Sequence, residues 1–267
     1  ERATALESDV LTGQGERSRE ASHYTYWLLY GYLQQGRFKD AERLLKAARD
    51  RLEKHPMGRE RAYYGAMCAR YLFDTGDWQS AAAWAAPEGV EIPAAHYHFA
   101  HAAAAIRRGD LDTSRIHAQS VVSGGEGHPD IVLDEAVIKV LHDELRAMSA
   151  FAKGDTALAV EYALQTAEGE RALPFQYGPP QVVKPASELL GDLLLNIGRP
   201  EEAVNAYKEQ LLQTPRRTSA LLGLARAAKA AGDAKQAADA YRQLTEIWHS
   251  AEEGVPGYSE AKEGAGL

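Results

Sequence analysis

A glycine followed by a short polar step and then an alanine recurs along this chain, and that recurrence constrains the fold more than any other feature. Gly198-Arg-Pro-Glu-Glu-Ala203 returns as Gly232-Asp-Ala-Lys-Gln-Ala237 and as Gly36-Arg-Phe-Lys-Asp-Ala41, while Gly76-Asp77, Gly109-Asp110 and Gly154-Asp155 belong to the same set. Each of these glycines follows one apolar helical pattern and precedes another within a few residues. Two antiparallel helices joined by a tight turn have this layout, because glycine can end the first helix in a left-handed conformation at little steric cost. The alanine five residues after most of these glycines is small, as expected where two helix backbones cross closely.

The chain has 267 residues, of which 45% are hydrophobic and 25% charged, the composition of a folded chain rather than a disordered one. Alanine dominates the apolar share and β-branched residues are few, a bias towards helix. A lone hairpin cannot bury its apolar stripe, so neighbours must stack. The expected fold is all-α: about six hairpins around Gly36, Gly76, Gly109, Gly154, Gly198 and Gly232, forming one elongated domain over 1–250 with a continuous core. A polar tail over 251–267, with a frayed or short helical end, is expected to follow.

The last two turn glycines are 34 residues apart, and the residues around them are specific. Leu190, Gly191, Gly198, Ala203, Tyr207 and Pro215, then Leu224, Ala225, Gly232, Ala237 and Tyr241, fall where the tetratricopeptide repeat places its leucine, small residue, turn glycine, alanine, aromatic and closing proline. The chain therefore resembles the tetratricopeptide repeat family. The earlier spacings of 40, 33, 45 and 44 residues mark longer connections and degenerate units. Residues 22–48, 177–192 and the two closing units resemble the C-terminal half of a group of bacterial tetratricopeptide proteins with no assigned activity. That resemblance implies a right-handed superhelical solenoid, a protein or peptide as partner, and further hairpins before Glu1.

Several function classes are disfavoured. A net charge of −8 and a pI near 5.6 work against binding to nucleic acid or anionic lipid. A single cysteine, Cys68, allows neither an internal disulfide nor a cysteine-based zinc cage. No run of about 18 apolar residues is present, so membrane insertion is not expected. There is no Gly-x-Ser-x-Gly elbow, phosphate loop or dinucleotide fingerprint, and the Gly-Gly-Glu-Gly run at 124–127 reads as a connection between hairpins. Neither an enzyme nor a cofactor is expected. The chain opens at Glu1 without methionine or leader, which suggests missing upstream sequence and leaves bacterial cytoplasm and periplasm both open.

The resemblance implies that the first helix of each hairpin lines a concave groove. Counting from the turn glycines places His23, Tyr26 and Tyr30 in that groove, then Tyr63, Arg70 and Phe73, then His96 and Phe99, then Glu144, Glu188, Asp192 and Arg226. The first units thus offer an aromatic and histidine-rich wall and the last a charged one, which suits an amphipathic or extended peptide. Packing against adjacent helices is an equally good account of any single aromatic.

Two features suggest a second class of function, a small-ligand or metal-binding protein. The stretch 171–185 holds four prolines and is expected to be a loop until Pro185 opens the next helix, with Phe175 and Tyr177 placed to fold over the groove as a lid. A stiff spacer is the plainer reading. His98 and His101 share a helical face and, with His117 on the partner helix, are the only metal-like cluster, although hydrogen-bonded packing histidines explain them more simply. A structural spacer of a longer protein is the third reading.

Overall fold

The computed structural model describes residues 23–123, 133–174 and 177–267. Gly124–Gly127 and Phe175 lie outside the described residues. Among those described there are twelve α-helices and no strand. Five full hairpins run α1 (His23–Gln34) with α2 (Phe38–Lys54), α4 (Ala95–Arg107) with α5 (Leu111–Ser123), α6 (Glu135–Ala152) with α7 (Thr156–Arg171), α8 (Ala186–Asn196) with α9 (Pro200–Gln213), and α10 (Thr218–Ala230) with α11 (Ala234–Ile247). A sixth, around Gly76, pairs α3 (Gly58–Thr75) with only a 3-10 turn over Trp78–Ala82. The polar tail carries the short helical end expected of it, α12 (Tyr258–Ala265), which packs on α11.

The turn motif has two working parts. All six turn glycines have φ between +69° and +83°, where a side chain would be strained. The aspartate that often follows caps the next helix: Asp77, Asp110, Asp155 and Asp233 each accept a hydrogen bond from the backbone N–H three residues on, at 2.9–3.3 Å. The recurring Gly-Asp pair is thus a helix stop followed at once by a helix start.

Consecutive helices pack on one another, and first helices also touch first helices, as in α1 with α3, α4 with α6, α6 with α8 and α8 with α10. This contact pattern is an α-solenoid with an inner layer of first helices. In the last two hairpins Tyr207 fills the space between Gly191 and Gly223; a Cβ at either would lie 2.7 or 2.3 Å from its ring. The repeat keeps small residues there so that the aromatic can enter.

The array does not stay extended. Gly36 at the first turn accepts a hydrogen bond from the Glu252 N–H (3.1 Å), Glu252 Oε1 accepts from the Lys39 N–H (2.8 Å), and the Trp248 indole donates to the Gln34 carbonyl (3.1 Å). Thr218 donates to Gln34 Oε1 through both N–H and hydroxyl. First and last hairpins therefore meet and the solenoid closes on itself. The expected continuous core is instead two apolar clusters, one per half, that meet at the partly buried Phe38 and Met148.

Candidate functional site

Closure turns the groove into a central hollow, and one part of it is filled by the chain itself. Arg70, fully buried, donates to the carbonyls of Val183 (2.8 Å) and Pro180 (2.5 Å), and His96 Nε2 bonds the Gln181 carbonyl (2.7 Å). Val182 and Val183 are buried in the N-terminal cluster, and Gly178 lies so close to Trp27 that a Cβ would sit 2.5 Å from the ring. The proline-rich loop thus crosses α1, α3 and α4 with the carbonyls of Pro180, Gln181 and Val183 satisfied by the Arg70 and His96 side chains. Burial pushes the His96 imidazole down to about 4, so it is neutral at pH 7.

Beside the loop a buried ionic chain ties the two ends of the solenoid together. Arg217 Nε donates to Glu188 Oε2 (2.6 Å) and its Nη2 to Asp74 Oδ1 (2.8 Å); Asp74 Oδ2 accepts from Gln34 (3.1 Å). Lys184 bridges Glu188 (2.7 Å) and Asp192 (2.6 Å), and the Tyr207 hydroxyl donates to Asp192 Oδ1 (2.6 Å). Burial alone would raise the Glu188 carboxyl, but Arg217 and Lys184 outweigh it and hold it at about 2. Glu144 is the opposite case. It is fully buried with neither carboxylate oxygen hydrogen-bonded, and burial, then Glu170, raise it well above the ordinary range. Burial likewise lifts Glu170, whose Oε2 accepts from the Ala186 N–H (2.6 Å), to about 7.

The rest of the hollow is open. A polar chamber of about 370 Å³ is lined by Asp192, Leu195, Ser219, Leu222 and Arg226 from the inner faces of α8 and α10, with Asp74, Thr75, Trp78 and Trp248 around it. A second chamber of about 550 Å³ has apolar walls from α3, α4, α6 and α8: Phe73, Ile106, Met148, Phe151, Leu189 and Leu193. The two share Phe73, Arg107, Lys184, Asp192 and Asn196.

Of the residues assigned to the groove from sequence, Phe73, Asp192 and Arg226 line these chambers, and Arg226 is engaged by Glu260 of α12 (2.7 Å). Glu188 also reaches the polar chamber, but as a buried member of the ionic chain. Tyr63, Arg70, His96, Phe99 and Glu144 are buried in packing or loop contacts, with Phe99 stacked on Phe73 at 5.0 Å. Tyr26 is half-buried, Tyr30 is half-buried beneath the Arg70 guanidinium (5.2 Å), and His23 is exposed against Trp27 (4.6 Å). Tyr177 is 88% exposed, so it is the Pro180–Val183 stretch that the inner wall holds.

The histidines sit apart from the hollow's chambers. His98 Nδ1 and His117 Nδ1 are 3.0 Å apart, and the His101 ring stacks near His117 at 5.5 Å. No three metal-binding side chains converge among the described residues. Burial, then His117, drives His98 and His101 to about 4, and burial lowers His117, so the trio is uncharged at neutral pH and pins α4 to α5.

Sequence reasoning missed Asp74, Arg107, Lys184 and Arg217. Lys184, Glu188 and Asp192 are spaced four apart, a charge pattern that a helical-face reading could have flagged. Arg107 is the last residue of α4 and Arg217 precedes α10, so neither falls among the groove positions counted from the turn glycines.

A tetratricopeptide repeat family model matches residues 188–251, the segment that builds the polar chamber's α8 and α10 walls. That match supports tetratricopeptide repeats over 188–251, and consecutive helices pack on one another in the same way among the described residues before them. No curated protein matches the sequence. Repeats of this family generally mediate protein–protein interaction and are typically non-catalytic. No helix among the described residues is long and apolar enough to cross a membrane.

Proposed function

We propose that the protein is an interaction module that holds a segment of a protein partner in the polar chamber, against α8 and α10. One observation carries this reading: the inner faces of the two matched repeats open onto a single cavity through Asp192, Leu195, Ser219, Leu222 and Arg226. The equivalent wall at the other end is occupied by the chain's own loop, which leaves this end as the accessible one. Aspartate, arginine and serine beside leucine provide an apolar contact with hydrogen-bonding groups of both signs around it, the makeup of a peptide-binding surface.

The test is affinity isolation of a partner with the full chain, followed by Ser219→Trp and Leu222→Asp. Both residues are partly exposed in the chamber; Leu222 also packs against the C-terminal core, so Ser219→Trp is the variant that fills the chamber without touching the core, and Leu222→Asp is read only where its melt matches the parent. Partner binding is expected to fall at least tenfold, on the scale of an interface hot spot, while the circular dichroism melt is unchanged. Retained binding in two folded variants would place the partner elsewhere.

A further inference from the structure

The neck shared by the two chambers carries a cation that no described acceptor engages. Arg107 ends α4 at the neck shared by both chambers, its guanidinium lying over the Trp78 ring at 4.6 Å. Among the described residues it makes no hydrogen bond or ion pair. The other polar groups at the neck are all engaged: Lys184 with Glu188 and Asp192, Asp192 with Lys184 and Tyr207, and the Asn196 amide with the Asp192 carbonyl. Arg107 is exposed to solvent at the neck, so its N–H groups can reach a ligand; partial desolvation lowers its pKa and Asp192 opposes this from a distance. A guanidinium carries five N–H donors in a planar fork that matches a carboxylate.

Behind this fork lie about 550 Å³ of space walled by apolar side chains. That volume falls in the range of small-molecule sites, and such sites are mostly apolar with a few polar groups that fix orientation. Phe73, Met148 and Phe151 remain partly exposed there, so an apolar body entering the chamber would cover surface that the fold leaves open to water. Donor and wall are adjacent, because Arg107 follows Ile106, which is part of that wall.

We infer that the apolar chamber binds a small amphipathic monoanion, a carboxylate whose head pairs with Arg107 and whose apolar body lies among Phe73, Met148 and Phe151. An anionic head gains charge-assisted bonds from a fork that has no acceptor among the described residues, roughly twice as strong as those of a neutral head. An ammonium head meets the Arg107 guanidinium and is repelled there, the Lys184 charge being already offset by Glu188 and Asp192. The site differs from the surface proposed for the protein partner, since Ser219 and Leu222 line the polar chamber alone.

Three probes with one body and different heads test this on the full, unmodified chain: phenylbutyrate, phenylbutanol and phenylbutylamine, titrated by calorimetry and by ligand-observed NMR. Saturable binding of phenylbutyrate, about tenfold tighter than the alcohol and with the amine weakest, is expected. Arg107→Gln should bring the carboxylate down to the affinity of the alcohol and leave the alcohol unchanged. Ala152→Trp, which fills the chamber from an exposed position, should weaken both; Ser219→Trp should affect neither. Absence of saturable phenylbutyrate binding would overturn the site. Equal affinity for alcohol and carboxylate, or preference for the amine, would overturn the role of Arg107 without needing a variant to fold.

Discussion

Replacing Arg217 with methionine tests whether the ionic chain holds the ring closed. Arg217 is 2% exposed, and its guanidinium is the only described link between Glu188, at 2.6 Å, and Asp74, at 2.8 Å. The side chains of both acids are almost fully buried. Removing one partner of a buried pair strands the other charge and typically costs about 3–5 kcal/mol. An independent route gives a similar figure. Glu188 is held at about 2 against an ordinary 4.5, a difference worth about 3 kcal/mol, although Lys184 supplies part of it. This stabilisation is present above the ordinary carboxylate value and disappears as the pH falls through about 2. Set against the usual 5–15 kcal/mol of a folded domain, the substitution should lower the urea midpoint sharply, read by circular dichroism and by fluorescence, to which Trp248 at the closure contributes. Adding Glu188→Gln and Asp74→Asn to Arg217→Met should recover much of the loss, because no buried charge is then left alone. A cost under about 1 kcal/mol for Arg217→Met, or no recovery in the triple variant, would show that the chain is not what closes the ring.

Three further outcomes follow from the packing. Gly223→Ala places a Cβ 2.3 Å from the Tyr207 ring and should destabilise by about 1–3 kcal/mol, with Tyr207→Leu in the same chain relieving part of it in thermal melts. Arg70→Met removes both bonds that hold Val183 and Pro180, so limited proteolysis should cut the 172–185 loop faster while the hairpins stay protected. Glu170, raised to about 7, binds a proton in the folded state that the unfolded chain releases near 4.5; its contribution therefore makes stability fall as the pH rises from about 4.5 to 7. The buried histidines act with the opposite sign, so the readout is the difference between parent and Glu170→Gln in urea titrations at pH 5 and 8, which should favour the variant by about 3 kcal/mol more at pH 8.

Local features of the fold were legible in the sequence and long-range ones were not. The turn glycines announce each hairpin because a positive φ excludes most side chains, and the Tyr207 slot is visible as glycines at 191 and 223. The second hairpin's outer arm shrinks to a 3-10 turn where Pro87, Gly89 and Pro93 follow closely, a break that glycine counting passes over. Closure depends on Gln34 meeting Thr218 and Trp248, residues about 200 apart whose pairing leaves no periodic trace. The loop insertion is equally silent, because Arg70 and His96 bind backbone carbonyls and a carbonyl carries no sequence identity. Repeat positions therefore do not reveal which of them the chain uses for its own packing and loop contacts.

The most direct test of the account is a distance between the first and last hairpins. Cys68 is fully buried, so spin labels can be directed to Lys39→Cys and Glu252→Cys, where the Lys39 N–H bonds the Glu252 side chain at 2.8 Å. Both residues lie near the surface, and the Gly36–Glu252 and Trp248–Gln34 contacts remain to hold the ends. Pulsed electron resonance should return one short, narrow distance distribution. A broad or long distribution, as for an open superhelix whose ends never meet, would contradict ring closure and the chambers that depend on it.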